Sequence, residues 1–286
     1  MLGEKALAVV IDDLRQHDPP LFFGIQTDAS NHKNMKMFPV CVQYFSLEHG
    51  TVTYIIDFFE NADESADGMF TSLKNTMDNL QLDWKSVSYL SADNANCNFG
   101  AKHSLYTNIH TLNDGIIKAN CCAHIVHNTL KFALGNLNVD IENIVLKIYD
   151  HFSMSAKRRK TLKEFHVFVG TEFHEILRHV PTRWLSLHPC IKRLLLSWKA
   201  LSSYFLSRPA DCSKQLLKLL MIDNNESTEI PRLIEMYLLF SQHVMEIFKS
   251  AVLELERNKT STADVFIILT NLRNKLKSRC DEEFFG

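Results

Sequence analysis

The sequence predicts an α/β protein, with a mixed five-stranded sheet flanked by helices and running into an α-helical insertion or tail. Three observations carry that prediction. Between Leu21 and Ala119, short apolar runs bounded by turn residues are interleaved with segments of helical period. The first three of these runs follow one another with no helical segment between them. After Cys121, almost every segment has helical spacing. With 286 residues, 46% of them hydrophobic and 22% charged, the chain can bury a substantial core and is too apolar to be disordered. No apolar stretch approaches the roughly 18 residues of a membrane span. The run Ala6-Leu7-Ala8-Val9-Val10-Ile11 meets Asp12-Asp13 with no small-residue cleavage site after it, so a soluble, non-secreted chain with no membrane contact is expected. Seven cysteines, of which only Cys121 and Cys122 sit close together, suit free thiols in a reducing compartment.

Leu2 to Gln16 reads as an amphipathic helix stopped by His17-Asp18-Pro19-Pro20, since proline cannot continue the helical ladder. Leu21 to Thr27 is the first strand, and Asp28-Ala29-Ser30-Asn31 has turn chemistry. Phe38 to Phe45 and Thr51 to Phe59 are the second and third strands, a hairpin turned at Glu48-His49-Gly50. Asn61 to Leu82 is helical, opening with Asp63, Glu64 and Asp67, which suit the positive end of a helix dipole. Val87 to Ser91 is a fourth strand followed by Asp93-Asn94. A helix over Phe99 to Leu112 leads to a fifth strand near Ile116 to Ala119, and Cys121 to Leu137 begins the helical region. Breaks are expected near Asn136–Asn138, Ser153, Pro181, Pro209 and Asn224–Asn225.

Three strands, then strands and helices in alternation, is the layout of an RNase H-like core with sheet order 3-2-1-4-5. The expected organisation is an N-terminal helix over 1–20, this core over 21–150 and a mostly helical region over 151–286. Charge is unevenly spread. Residues 1–100 hold 6 Lys/Arg and 14 Asp/Glu, whereas residues 101–210 hold 15 and 7. That asymmetry suits a cation-holding site beside a phosphate-holding surface, or else charges scattered over solvated helix faces.

In this topology the first and fourth strands are parallel neighbours, so Asp28 and Asp93, 65 residues apart, emerge at one edge. Two carboxylates held together repel unless a divalent cation neutralises them. Mg²⁺ or Mn²⁺ is the fitting guest, because such ions take oxygen ligands and keep waters for substrate phosphate. Taken singly, each aspartate is also an ordinary turn residue. Metal-assisted phosphoryl transfer in this fold usually needs a third carboxylate, and the segment Cys121 to Leu137 contains no Asp or Glu.

Thr27-Asp28-Ala29-Ser30, Ser91-Ala92-Asp93-Asn94-Ala95-Asn96, Cys121-Cys122-Ala123-His124 and Pro181-Thr182-Arg183-Trp184-Leu185-Ser186, with Phe152 to Arg159, occur in one order over residues 20–205. In these motifs the chain resembles hAT-superfamily transposases and their domesticated, BED-type zinc-finger relatives. The resemblance implies an RNase H-like core interrupted by a helical insertion, with Asp28 and Asp93 as two of three catalytic and metal-binding acids. The family's third acid, a Glu, lies in a segment beyond the insertion. The chain ends at Glu283-Phe284-Phe285-Gly286 without that segment, so a fragment or shortened derivative, truncated before the family's dimerisation segment, is expected.

Cys121, His124 and His127 offer soft and imidazole ligands for zinc, but a complete site needs a fourth ligand, and Cys122 and Cys97 are not at a diagnostic spacing. A buried structural Cys/His cluster is the alternative, and the resemblance adds a third reading in which Cys121 and His124 shape a DNA-end site. Arg183 and Trp184 suit phosphate contact and base stacking, with Thr182 as a helix N-cap. In the family the matching Trp is associated with the DNA-flank hairpin, and core packing is the plainer reading. Lys157, Arg158, Arg159 and Lys160 could contact DNA backbone, act in nuclear import, or form a solvated helix face.

Together these features lead to an expected transposon-derived, nuclear, nucleic-acid-associated protein, inactive as a transposase in this form. Two alternatives stand beside it. One is the catalytic core of an active hAT transposase performing Mg-dependent strand cleavage and transfer. The other is an interaction scaffold that recruits protein partners or a second copy through Leu233, Ile234, Tyr237, Leu238, Val244 and Ile247.

Overall fold

The computed structural model describes residues 2–16, 21–32, 35–60, 63–181, 185–220, 230–257 and 260–283. The chain forms two compact units, residues 1–125 and 126–286. In the first, α1 (Leu2–Gln16) precedes β1 (Phe23–Thr27), β2 (Ser30–His32), β3 (Met35–Ser46) and β4 (Gly50–Glu60). Then come α2 (Ala66–Asn79), β5 (Val87–Ala92), α3 (Asn96–Phe99), α4 (Leu105–His110) and β6 (Ile117–Asn120).

The sheet is mixed. Its five predicted strands lie in the order β4-β3-β1-β5-β6, which is 3-2-1-4-5 in the numbering of those strands, and helices flank it. β3 runs antiparallel to both β1 and β4, while β5 runs parallel to β1 and to β6. One face is apolar. Phe23 and Ile25 pair with Tyr44 and Val42 on β3, Ile25 also lies opposite Leu90 on β5, and all are buried. Val10, Ile11 and Leu14 of α1, Met69, Leu73 and Met77 of α2, and Leu105 and Ile109 of α4 complete one core with them. α1, expected within a separate N-terminal element over 1–20, therefore packs into the sheet's own core.

On the alternate pleat positions a polar network crosses four strands. Tyr89 Oη donates to Gln43 Oε1 at 2.6 Å and accepts from Gln26 Nε2 at 3.1 Å, and Gln43 Nε2 donates to Thr53 Oγ1 at 3.0 Å. Gly24 lies beneath that ring. A Cβ there would meet Tyr89 Cζ at 2.0 Å, so the tyrosine needs glycine opposite it.

Several boundaries differ from expectation for local reasons. Asp28–Asn31 is not a closed turn, because Ser30–His32 resumes pairing with Met35–Met37 in the register of β1. α2 starts at Ala66 rather than Asn61, because Ser65 caps it by accepting from Gly68 N at 3.1 Å. The helix expected over Phe99–Leu112 is shortened to α4, because α3 ends at Phe99 and the capping box of Ser104 and Thr107 starts the next helix at Leu105.

The second unit is helical. α5 (Cys122–Gly135), within which the division of the units falls, is followed by α6 (Ile141–Ser153), α7 (Ala156–Phe168), α8 (Leu187–Leu196) and α9 (Trp198–Ser207). α10 (Lys214–Leu219), α11 (Ile230–Leu255) and α12 (Thr262–Asp281) complete it. The division falls at 125/126 rather than 150/151, since α6 packs against α7, α8 and α10 and buries Ile144, Val145, Ile148 and Phe152 among them. Residues 171–180 form neither helix nor strand, a break the helical reading of this region did not foresee. Of the positions considered for partner recruitment, Ile234 and Leu238 are buried, Tyr237, Val244 and Ile247 are half-buried, and Leu233 is exposed. The expected break at Asn224–Asn225 lies outside the described residues.

An aromatic cluster centres this unit. Tyr204 packs against His151, Phe152, Phe165 and Phe205, and its hydroxyl lies 3.0 Å from His151 Nε2. Burial, with the nearby Arg158 charge adding to it, pulls His151 down to about 4. The folded unit therefore holds this ring neutral, whereas in the unfolded chain it takes up a proton near the ordinary histidine value. Stability is full above that value and is lost as pH falls from about 6.5 toward 4. After allowance for solvent screening the expected loss is about 2 kcal/mol. Urea denaturation at pH 7 and pH 4.5 checks it, and His151→Phe should flatten the His151 contribution.

Candidate functional site

The strand order reverses beside β1. From β1 the chain steps outward through β3 to β4, then crosses back to lay β5 and β6 on the other side. In open α/β sheets, ligands bind beyond the carboxyl ends of strands at such a reversal, because the connecting loops there part in opposite directions. Asp28 and Asp93 lie at this point. Ile25 pairs with Leu90 and Gln26 with Ser91, so the offset of 65 residues places Asp28 and Asp93 level, each two residues past the last pair.

Their electrostatics differ. Asp28 remains exposed at the surface, yet its carboxyl is pushed above the ordinary carboxylate range. Partial burial is the largest cause. His124 pulls the other way, the Asp93 charge raises it further, and the Ala29 N–H lowers it. Asp93 is held in place from its own loop, where Oδ1 accepts from Ala95 N at 3.0 Å and Asn98 Nδ2 at 2.6 Å. Asn98 is buried and Asn120 Nδ2 donates to Asn94 Oδ1, so amides fix the loop after β5.

Cys121 follows β6 and its N–H donates to Ala92 O at 3.1 Å, which ties the start of α5 to the end of β5. Burial raises its thiol most, while the His124 and Ala123 N–H groups lower it and the Asp28 charge raises it again. Cys121, His124, Asp28 and Asp93 thus meet at one sheet edge. Cys122 is also half-buried, with its thiol pushed up by burial. Among the described residues, no group of three His, Cys, Asp or Glu side chains is arranged to hold a metal ion. Among those residues, Cys121, His124 and His127 do not assemble such a group, and no described third acid does so with Asp28 and Asp93. Two carboxylates still fit Mg²⁺ or Mn²⁺, because a hard cation of this kind binds through one or two carboxylates and fills its remaining positions with water and phosphate.

The basic run is not one surface. Successive helical residues point about 100° apart, so Lys157, Arg159 and Lys160 are exposed while Arg158 turns inward and donates from Nη1 to His151 O at 3.2 Å. Arg158 thus uses one of its five N–H donors within the second unit, whereas its three neighbours keep theirs at the surface. Arg183, Trp184 and the proposed cap Thr182 lie outside the described residues. The following helix begins at Leu187 after Ser186.

Reading the sequence for charged and metal-binding residues missed Asn98 and Asn120. Neutral amides carry no titration signal, and only the asparagine density of Asn94, Asn96 and Asn98 after β5 marked the loop. No protein-family model matches the chain, and comparison with curated proteins finds no match. Among the described residues no helix is long and apolar enough to cross a membrane.

Proposed function

We propose that the chain is a transposon-derived, nucleic-acid-associated protein of nuclear location. In this reading the first unit is an RNase H-like domain with a two-carboxylate form of that fold's metal site, and the chain does not cut DNA by itself. The observation that carries the reading is the level placement of Asp28 and Asp93 beyond adjacent parallel strands at the reversal of strand order, on the motifs that resemble hAT transposases. Asp28 and Asp93 would hold Mg²⁺ or Mn²⁺, which supplies charge neutralisation for phosphate oxygens drawn to the same edge. Asn98 and the Ala95 N–H keep the Asp93 carboxylate aimed, and the repulsion felt by Asp28 is what a cation relieves.

Charge supports the partner class. Residues 1–125 hold 8 Lys/Arg and 15 Asp/Glu, whereas residues 126–286 hold 23 and 18. Lys157, Arg159 and Lys160 are exposed cations of the second unit, suited to phosphate contact. A second reading, the core of an active hAT transposase, is favoured by one observation, the retention of both acids in a common register.

Fluorescence anisotropy on a labelled hairpin duplex in Mg²⁺ tests the proposal. Binding should weaken roughly 40-fold between about 50 and 200 mM salt if three phosphates are contacted, and the K157A/R159A/K160A variant should lose most of that dependence. No strand cleavage is expected. Cleavage abolished by Asp28→Asn would establish the second reading instead, and absence of DNA binding at low salt would overturn both.

A further inference from the structure

We propose that the second unit holds a cleft for a small polyphosphate, a ligand distinct from the nucleic acid that the basic run of α7 would contact. A cleft of about 860 Å³ lies among α8, α11 and α12. That volume falls within the roughly 300–1,000 Å³ of small-molecule sites. Its chemistry does not suit an apolar guest. Among the described residues that line it, Ile247 is the one apolar side chain, and the rest are charged, amide, hydroxyl or imidazole groups.

Helical spacing gathers the charges. Lys275 and Arg279 stand four residues apart on one face of α12, Glu246 and Lys249 stand three apart on α11, and Lys192 comes from α8. Four cations thus meet two carboxylates, Glu246 and Glu282, which leaves an excess of two positive charges. Both carboxylates are already engaged. Glu246 Oε2 lies 2.6 Å from His188 Nε2 and its Oε1 3.8 Å from Lys249 Nζ, while Glu282 Oε1 accepts from Ser278 Oγ at 2.6 Å. A proton taken up by the buried His188 adds to the positive excess and does not offset it.

Arg279 gives an independent sign of an anion. Its Nη1 is cut off from solvent and, among the described residues, has no hydrogen-bond partner. A charged donor left unpaired costs folding free energy, and a short turn of the guanidinium would bring it to an oxyanion seated in the cleft. Phosphate fits best, because the guanidinium fork meets two of its oxygens at once and ammonium groups beside it share the charge. One phosphate fills only part of this space, so a chain of two or three is what meets cations from three helices. The walls of a cleft focus the field on a narrow, flexible anion of that kind, whereas a duplex would meet only the rim.

Calorimetric titration of the full chain with inorganic tripolyphosphate in Mg²⁺-free buffer, with sulfate as the control anion, tests this. Tripolyphosphate should bind with one-to-one stoichiometry, at least about tenfold more tightly than sulfate. Arg279→Gln, or Lys275→Ala should the first variant not fold, should weaken binding about tenfold, the loss of one charge-assisted contact. Glu282→Gln should tighten it, and the K157A/R159A/K160A variant should bind as wild type does. Failure of tripolyphosphate to bind overturns the proposal, as does equal binding by folded Arg279→Gln and wild type. Displacement of tripolyphosphate by the hairpin duplex also overturns it and assigns the cleft to the DNA backbone. Tripolyphosphate binding in a chain without DNA affinity supports the cleft and counts only against the nucleic-acid reading.

Discussion

Tyr204→Ala is expected to cost the second unit about 5 kcal/mol of stability, enough to populate its unfolded form in buffer. Tyr204 is 1% exposed, and its ring centroid lies 5.0 Å from that of Phe152 and 5.4 Å from that of Phe205. Truncating a buried aromatic to alanine removes its transfer energy and leaves a cavity, together about 3–5 kcal/mol. The same change strips His151 Nε2 of its 3.0 Å partner inside a nonpolar cluster, which adds about 1–3 kcal/mol. Tyr204→Phe separates the two effects. It keeps the ring and loses only the hydroxyl, so it should cost about 1–2 kcal/mol. Leu206→Ala, at an exposed neighbouring position, should stay within about 0.5 kcal/mol. Urea denaturation followed by far-UV circular dichroism measures all three. Equal midpoints for Tyr204→Ala and Leu206→Ala would mean that the ring cluster is not the core of this unit.

The second large effect concerns Asp28. Because its folded carboxyl titrates above the ordinary value, stability is lost as pH rises through that range, and at neutral pH the ionised group is a net cost. Asp28→Asn removes the charge and the repulsion from Asp93. In metal-free buffer the first unit should become slightly more stable, by less than about 1 kcal/mol because the group is exposed and screened. A bound ion reverses the ranking. At ten times its dissociation constant, Mg²⁺ should stabilise the wild-type chain by about 1.4 kcal/mol and leave Asp28→Asn unchanged. Differential scanning calorimetry with and without Mg²⁺ reads both effects. A variant less stable than wild type without metal would show that Asp28 serves packing or capping rather than cation binding.

The sheet was legible because its strands carry their own signal. Leu21 to Thr27, Phe38 to Phe45 and Thr51 to Phe59 are rich in β-branched and aromatic residues bounded by turn residues, and their order leaves few topologies open. The level placement of Asp28 and Asp93 was likewise readable, since it needs only two parallel strands followed by the same short step. β2 was not readable. Ser30, Asn31 and His32 have no apolar period, and they pair with Met35–Met37 only because the register set by Phe23 and Tyr44 carries past Asp28. The inward turn of Arg158 was hidden for a related reason. A run of four cations carries no hydrophobic pattern, so the sequence does not show which one the helix turns toward His151 O. His179 and Glu142, 37 residues apart, meet through the irregular segment 171–180, whose path no local period encodes.

The account rests on two carboxylates converging on a cation at the reversal of the strand order, and paramagnetic relaxation by substoichiometric Mn²⁺ in amide-resolved NMR addresses that directly. The amide signals of Asp28, Ala29, Asp93 and Asn94 should broaden first, and in Asp93→Asn that selectivity should vanish. Broadening spread evenly over surface acids such as Asp12, Glu48 and Asp114, or identical patterns in wild type and Asp93→Asn, would contradict it.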